Sequence, residues 1–168
     1  KLAIKTNQEY AKKLGINPTA AITRVKTTGN SSVPLDASPG IHARWSKYYI
    51  RRMTFVDKNP IRQALEDQGV PMSLKIGTNN QWVVEFPIKS PDGAVCQGDL
   101  TALQQLENWA MFKTEWCEHN PSCTITYNPD ELDTIAQWLF DNQAIVGGLS
   151  FLPRFDAQYA QMPYEAIS

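Results

Sequence analysis

The stretch "SCTITYNPDELDTIAQWLFDNQAIVGGLSFLP", Ser122 to Pro153, decides the fold class. It begins with a short β-branched run, which is typical of a buried strand. Asn128-Pro129 predicts the beginning of a helix. The apolar residues of that helix lie on one side, and they are Leu132, Ile135, Trp138, Leu139 and Phe140. Gly147-Gly148 then precedes a second short apolar run, so the stretch predicts a strand, a helix and a strand.

The same alternation extends over most of the chain. The pattern predicts strands at Ala20–Val25, Tyr48–Val56 and Trp82–Phe86, the last of them closed by Pro87. It predicts helices from about Thr6 to Leu14, from Asn59-Pro60 to Gly69, around His42–Trp45 after Ser38-Pro39-Gly40, and from Leu100 to about Trp116. Residues 154–168 are predicted to be irregular and packed through aromatic side chains. We therefore expect an α/β fold in which helices cover a mainly parallel sheet or barrel.

The composition is that of an ordinary globular protein. The chain has 168 residues, 42% of them apolar, and a net charge of −1, which gives no support to nucleic-acid or membrane-surface binding. No apolar stretch is long enough to span a membrane. Three cysteines without a secretory signal indicate a reducing cytoplasm. Because the chain begins at Lys1 rather than Met, we expect a fragment or a processed product.

The loop after the first predicted strand, "KTTGNSS" from Lys26 to Ser32, is rich in hydroxyl, amide and glycine residues. Such a loop can present backbone N–H groups and hydroxyls to a phosphate, and a following helix N-terminus would add partial positive charge. It is not the Walker pattern, because the lysine precedes a single glycine. A plain turn between a strand and a helix remains the alternative. The candidate phosphate-binding residues are Thr27, Thr28, Gly29, Asn30, Ser31 and Ser32.

Three further patterns each allow two interpretations. Cys117, His119 and Cys123 lie close enough to suggest a metal site, although their spacing also fits a helix-to-strand corner with a buried thiol. His42 is a candidate acid or base, or a residue whose hydrogen bonds orient the loop. The aromatic and basic residues of Tyr48–Arg52 fit either nucleic-acid binding or an ordinary amphipathic strand.

Four blocks, in this order, resemble a known family: "GINPTAAITRVKTTGNSSVPLDASPGIHARWSKYYIRRM", "WVVEFPIKSP", "LQQLENWAMFKTEWCEHNPSCTITYNPDELDTIAQWL" and "GGLSFLPRFDAQYAQMPYE". They are similar to the C-terminal part of the catalytic barrel of adenosylcobalamin-dependent (class II) ribonucleotide reductases, especially the ribonucleoside-triphosphate reductase type. The resemblance implies that residues 1–168 are a single segment of a ten-stranded α/β barrel of the ribonucleotide reductase and glycyl-radical type. It also implies that Ala20–Val25 is a late barrel strand and that Thr27–Ser32 holds the substrate phosphates. Thr27 and Asn30 depart from the usual Lys-Pro-Ser-Gly-Thr loop of the family.

The resemblance further implies that ribonucleotides are reduced to deoxyribonucleotides by a thiyl radical that adenosylcobalamin generates. The radical and redox cysteines of the family are not matched by Cys96, Cys117 or Cys123. The implied partners are therefore a ribonucleotide, an upstream reductase half on the same or a separate chain, and a thioredoxin-like reductant. Relatives that take their radical from a separate metal subunit carry adjacent tyrosines where this chain has Leu149–Pro153, which agrees with a cofactor-generated radical. The alternatives are a non-catalytic nucleotide-binding module and an inactive reductase fragment.

Overall fold

The computed structural model describes residues 1–26, 28, 31–32, 35–154 and 159–167. They form two compact units. The first unit combines Lys1–His42 with Thr101–Arg154, and the second combines Ala43–Leu100 with residues from 159 onward. In chain order the elements are α1 (Leu2–Leu14), β1 (Tyr48–Val56), α2 (Pro60–Asp67), β2 (Met72–Leu74), β3 (Gln81–Lys89), α3 (Ala102–Glu115), β4 (Thr124–Tyr127), α4 (Leu132–Asp141), β5 (Ser150–Pro153) and β6 (Tyr164–Ala166).

The strand, helix and strand predicted from Ser122 to Pro153 are confirmed in the first unit. β4 and β5 pair in parallel, from Thr124 opposite Ser150 to Tyr127 opposite Pro153, and α4 connects them. A 3-10 turn at Pro129–Glu131 precedes α4. The buried core between these strands and the helices consists of Ala102, Leu106, Trp109, Cys123, Ile125 and Ile135. The unit is therefore a strand–helix–strand element covered by α3.

Two helices of the first unit follow their predicted signals. α1 begins earlier than expected, at Leu2, and ends as predicted, since Gly15 adopts a left-handed φ of 66° after the last turn. α3 ends as predicted near Trp116. Its first turn is closed by Thr101, whose side chain accepts the N–H of Gln104.

The second unit is a four-stranded sheet in the order β2-β3-β1-β6, in which every pairing is antiparallel. The expectation of a mainly parallel sheet is therefore wrong for this unit. β1 has the predicted bounds, and α2 begins as predicted, with the Asn59 side chain accepting the N–H of Ile61 at 2.8 Å. The combination of helices and strands that places the chain in the α/β class is confirmed, whereas strand direction differs between its two units.

β3 continues through Pro87, where the sequence predicts its end. Glu85 donates its N–H to Pro71 on the β2 side at 3.0 Å, and Pro87 lies on the same side two residues later. β2 begins at Met72, which pairs with Val84, so no described strand lies opposite Pro87 there. A proline nitrogen is tolerated where the sheet edge is open, because no ladder hydrogen bond is lost.

The end of the chain contains a strand that the sequence pattern does not predict. β6 pairs with β1 at Tyr49, Ile50 and Arg51. Arg52 bonds to Glu85 at 2.7 Å and to Glu165 at 2.6 Å. Burial lowers the pKa of Arg52, but its bonds to both carboxylates outweigh burial, and the net shift is upward. Arg52 therefore serves contacts within the sheet, which supports the amphipathic-strand interpretation.

No helix among the described ranges is both long enough and apolar enough to cross a membrane.

Candidate phosphate-binding loop

The structure describes three of the six candidate residues, because Thr27, Gly29 and Asn30 lie outside the described residues. Thr28 and Ser31 are exposed, and Ser31 donates to the Thr28 carbonyl through its N–H at 3.2 Å and its hydroxyl at 2.8 Å. Ser32 is only 3% exposed, and its carbonyl accepts the N–H groups of Leu35 and Ala37. Thr28 and Ser31 thus face solvent at a tight turn, and Ser32 fixes the next turn.

The segment before the loop, Ala20–Val25, forms no strand, so that prediction is wrong. It is held instead by the connection that follows α3. Thr23 donates its hydroxyl to the Trp116 carbonyl and accepts the N–H of Glu118, and its own carbonyl accepts the N–H of His119. All three bonds join Thr23 to an irregular corner of the chain, so no continuous ladder of strand hydrogen bonds forms. A β-branched run becomes a strand only when a second extended backbone lies beside it.

The segment after the loop also differs from its prediction. Ser38-Pro39-Gly40 opens no helix, because Gly40 has a φ of 70°, in the left-handed region that interrupts a right-handed helix. The turn is closed by the His42 N–H, which lies 3.4 Å from the Pro39 carbonyl. Among the residues described after the loop, no helix begins before β1, so the partial positive charge of a helix N-terminus is not provided there. An anion would depend on the loop amides, hydroxyls and the exposed Lys26.

His42 connects this turn to β4. Its Nδ1 lies 2.9 Å from the Pro39 carbonyl, and its Nε2 lies 2.9 Å from the backbone N–H of Thr124. The carbonyl requires a donor and the N–H requires an acceptor, so the two bonds together select the neutral ring with its proton on Nδ1. Both bonds go to main-chain groups, which favours the interpretation in which the hydrogen bonds of His42 orient the neighbouring backbone.

The stretch from Cys117 to Cys123 forms a corner between α3 and β4, as in the alternative to a metal site. Both cysteines are buried, and burial raises the pKa of the Cys123 thiol to about 11. His119 is exposed and bonds through its backbone N–H. Throughout the part of the chain that the structure describes, no three His, Cys, Asp or Glu residues form a group suited to a metal ion.

The corner supplies contacts that the sequence pattern does not reveal. Glu118 accepts the N–H of Ile22 through its carboxylate, and Thr23 bonds to Glu118 although the two residues are 95 positions apart. Neither Thr23 nor Glu118 belongs to a recognisable motif. The segment before the loop is thus bonded to the α3–β4 connection, and the turn that follows the loop is bonded through His42 to the first residue of β4.

Comparison with known proteins gives a consistent result. No family model matches the chain. An adenosylcobalamin-dependent ribonucleoside-triphosphate reductase from Lactobacillus leichmannii is 34% identical over 172 residues, which cover 99% of this chain and 23% of that protein. The enzyme of the same name from Levilactobacillus brevis is 29% identical over 98% of this chain and 22% of its own length.

A solved structure agrees with these relatives. The crystal structure of a B12-dependent (class II) ribonucleotide reductase matches 98% of this chain with a TM-score of 0.82 and 32% identity, over 24% of the solved chain. The chain therefore spans about a quarter of the length of the proteins that it matches. The predicted resemblance is confirmed: nearly the whole chain is similar, in sequence and in fold, to one segment of an adenosylcobalamin-dependent ribonucleoside-triphosphate reductase.

Proposed function

We propose that this chain is part of an adenosylcobalamin-dependent ribonucleotide reductase and supplies the loop that holds the substrate phosphates. The observation that carries the proposal is the combined match of 34% identity over 99% of the chain and a TM-score of 0.82. The reaction would convert a ribonucleotide to the corresponding deoxyribonucleotide. This segment would hold and orient the nucleotide for that reaction.

The phosphate-binding role of Thr27–Ser32 is supported by exposure and anchoring. Thr28 and Ser31, which both carry hydroxyl groups, are exposed to solvent, and Lys26 near them is also exposed. The bonds of Thr23 and His42 hold the segments on either side of the loop against the same α3–β4 region. Flanking segments that are held in place reduce the freedom that the loop would lose on binding, so more of the phosphate binding energy would serve to orient the ribose.

We place β4, α4 and β5 in the C-terminal portion of the ten-stranded barrel that the resemblance implies. Two neighbouring parallel strands joined by a helix are the repeating unit from which such barrels are built. The remaining strands would come from the three quarters of the reductase that this chain does not match.

The relatives are named for adenosylcobalamin, which when bound generates the radical that begins nucleotide reduction. Cys117 and Cys123 are buried, and among the described residues no cluster suits a metal ion. We therefore assign no residue of this chain to the cobalt and no chemical step to its cysteines. In the proposed enzyme a thioredoxin-like dithiol in the cytoplasm would restore the reducing cysteines.

The proposal is tested by deoxynucleotide formation. Ribonucleoside triphosphate and adenosylcobalamin are supplied to this chain alone and to this chain combined with the remaining three quarters of the reductase. We expect product only from the combination. If the combination makes no deoxynucleotide while this chain alone binds the nucleotide, a non-catalytic binding module replaces the reductase assignment. If neither sample binds or reacts, the chain is an inactive fragment.

The loop is tested separately with Gly29→Val in the complete enzyme. Added bulk beside the phosphate would block close approach of the main chain, so the KM for ribonucleotide should rise by about tenfold or more. Gly98→Val is the matched control, since a Cβ at Gly98 meets open space. An unchanged KM in Gly29→Val would remove the phosphate assignment.

A further inference from the structure

The outer edge of β4 is closed by side chains. Ser150 donates its N–H to the Cys123 carbonyl at 3.2 Å, and Arg154 donates to the Tyr127 carbonyl at 2.7 Å, so alternate residues of β4 face β5. Thr124 and Thr126, which lie between them, direct their main-chain groups to the opposite side. The sheet to which β4 belongs has two described strands, so these groups require partners other than a strand.

Side chains supply those partners at both positions. Gln105 of α3 accepts the Thr126 N–H at 3.0 Å and donates to the Thr126 carbonyl at 2.8 Å. His42 accepts the Thr124 N–H at 2.9 Å. Gln105 belongs to a helix that packs on the sheet, whereas His42 belongs to the turn that follows the candidate phosphate loop. The edge of β4 is thus the surface against which the turn after the loop is held.

We propose that His42 is a positioning residue for the nucleotide: it holds the turn at Pro39, which follows the candidate phosphate loop, at a fixed place beside β4. This inference rests on the proposed phosphate-binding role of the loop. The ring bonds to Pro39 and to Thr124, and both partners are main-chain groups. His42 therefore acts through the position of the backbone and not by contact with the reacting atoms.

Three substitutions separate the two bonds of the ring. His42→Gln places an amide oxygen close to the position of Nε2, so it keeps the acceptor for Thr124 and loses the donor to Pro39. His42→Asn places an amide N–H close to the position of Nδ1, so it keeps the donor and is too short to reach Thr124. His42→Ala loses both bonds. The exposed Gln143, in the same unit, gives the control Gln143→Ala.

In the complete enzyme we expect the substitutions at His42 to change KM more than kcat. His42→Ala should raise the KM for ribonucleotide about tenfold, because both hydrogen bonds that fix the turn are lost, with a smaller change in kcat. His42→Gln and His42→Asn should each restore part of the affinity. A purely structural role for His42 would instead lower the folded fraction, and with it kcat, while KM stayed as in the wild type. That result would overturn the inference.

Hydrogen exchange of residues 35–42 provides a readout that does not need turnover. Ribonucleoside triphosphate should slow exchange there in the wild type, and His42→Ala should require about tenfold more nucleotide for the same protection. If wild type and His42→Ala need the same nucleotide concentration for protection while Gly29→Val raises KM, the role of His42 is refuted and the proposed function is retained. Absence of protection in the wild type, together with an unchanged KM in Gly29→Val, would refute both.

Discussion

Glu131 joins the beginnings of two helices, because its Oε1 accepts the backbone N–H of Ala102 at 2.7 Å. Ala102 is the first residue of α3, and Glu131 ends the 3-10 turn that precedes α4. Its Oε2 accepts the N–H of Asn128, also at 2.7 Å. One carboxylate therefore satisfies two amide donors that helix geometry leaves without a partner.

Replacing Glu131 by alanine should destabilise the first unit by about 2–3 kcal/mol, since two charge-assisted hydrogen bonds to backbone amides are lost. Urea-induced unfolding of wild type and Glu131→Ala measures the difference. The exposed Asp130 in the same turn provides the control, and Asp130→Ala should cost less than about 1 kcal/mol. Equal losses in the two variants would show that the charge near α4 matters and the bond to Ala102 does not.

Gln105→Met should also be destabilising, by about 2–3 kcal/mol, because Thr126 is 4% exposed and its backbone groups would be left buried without these partners. Gln137→Met on α4 is the matched control, since Gln137 makes one exposed bond to Asp141. A stability that stays at the wild-type value in Gln105→Met, measured by urea-induced unfolding, would mean that the edge of β4 is satisfied in another way.

Gly147→Ala tests the contact between the segment that precedes β4 and the segment that precedes β5. A Cβ at Gly147 would overlap the Asn120 side chain, whose amide donates to the Gly148 carbonyl at 2.8 Å. We expect a loss of about 1–3 kcal/mol in the free energy of unfolding. In an Asn120→Ala background the same glycine substitution should cost much less, and a double-mutant cycle measures this coupling. Additive losses would place the effect of Gly147 elsewhere.

The buried Cys123 thiol should make the free energy of unfolding depend on pH in the alkaline range. Burial raises the pKa of this thiol from about 9 to about 11, so the folded chain keeps the proton that the unfolded chain releases. Its contribution is fully present below about pH 9 and falls by about 1.4 kcal/mol per pH unit up to about pH 11.

The measurement for Cys123 is the free energy of unfolding between pH 8 and 11 in wild type and Cys123→Ala. Alanine loses packing at every pH, so the absolute stability is lower, and the test is the slope. We expect a shallower decline in the variant. Parallel curves would mean that other groups account for the alkaline loss.

Much of the secondary structure follows from local signals. Asn59-Pro60 and Gly69 delimit α2, and the apolar spacing in α3 and α4 predicts both helices. Each signal acts within a few residues, through a cap, a left-handed glycine or a repeated apolar face, so the sequence contains it directly. The family resemblance was likewise readable from the order of blocks along the chain.

The strand partners and the candidate site depend on contacts between distant residues. The sequence did not reveal β2 or β6, and Ala20–Val25 lacks the neighbouring strand that its composition favours. His42 bonds to Thr124 across 82 positions, and no local pattern in the sequence indicates this partner.

By itself, then, the sequence determined where most helices and the longer strands lie and which family the chain resembles, because those properties depend on neighbours along the chain. Only the tertiary structure decided strand direction in the second unit, the closure of the β4 edge and the hydrogen-bond partners of His42. The physical reason is that a backbone N–H or carbonyl has no sequence preference of its own. Its partner is set by whichever group the folded chain brings within hydrogen-bonding distance.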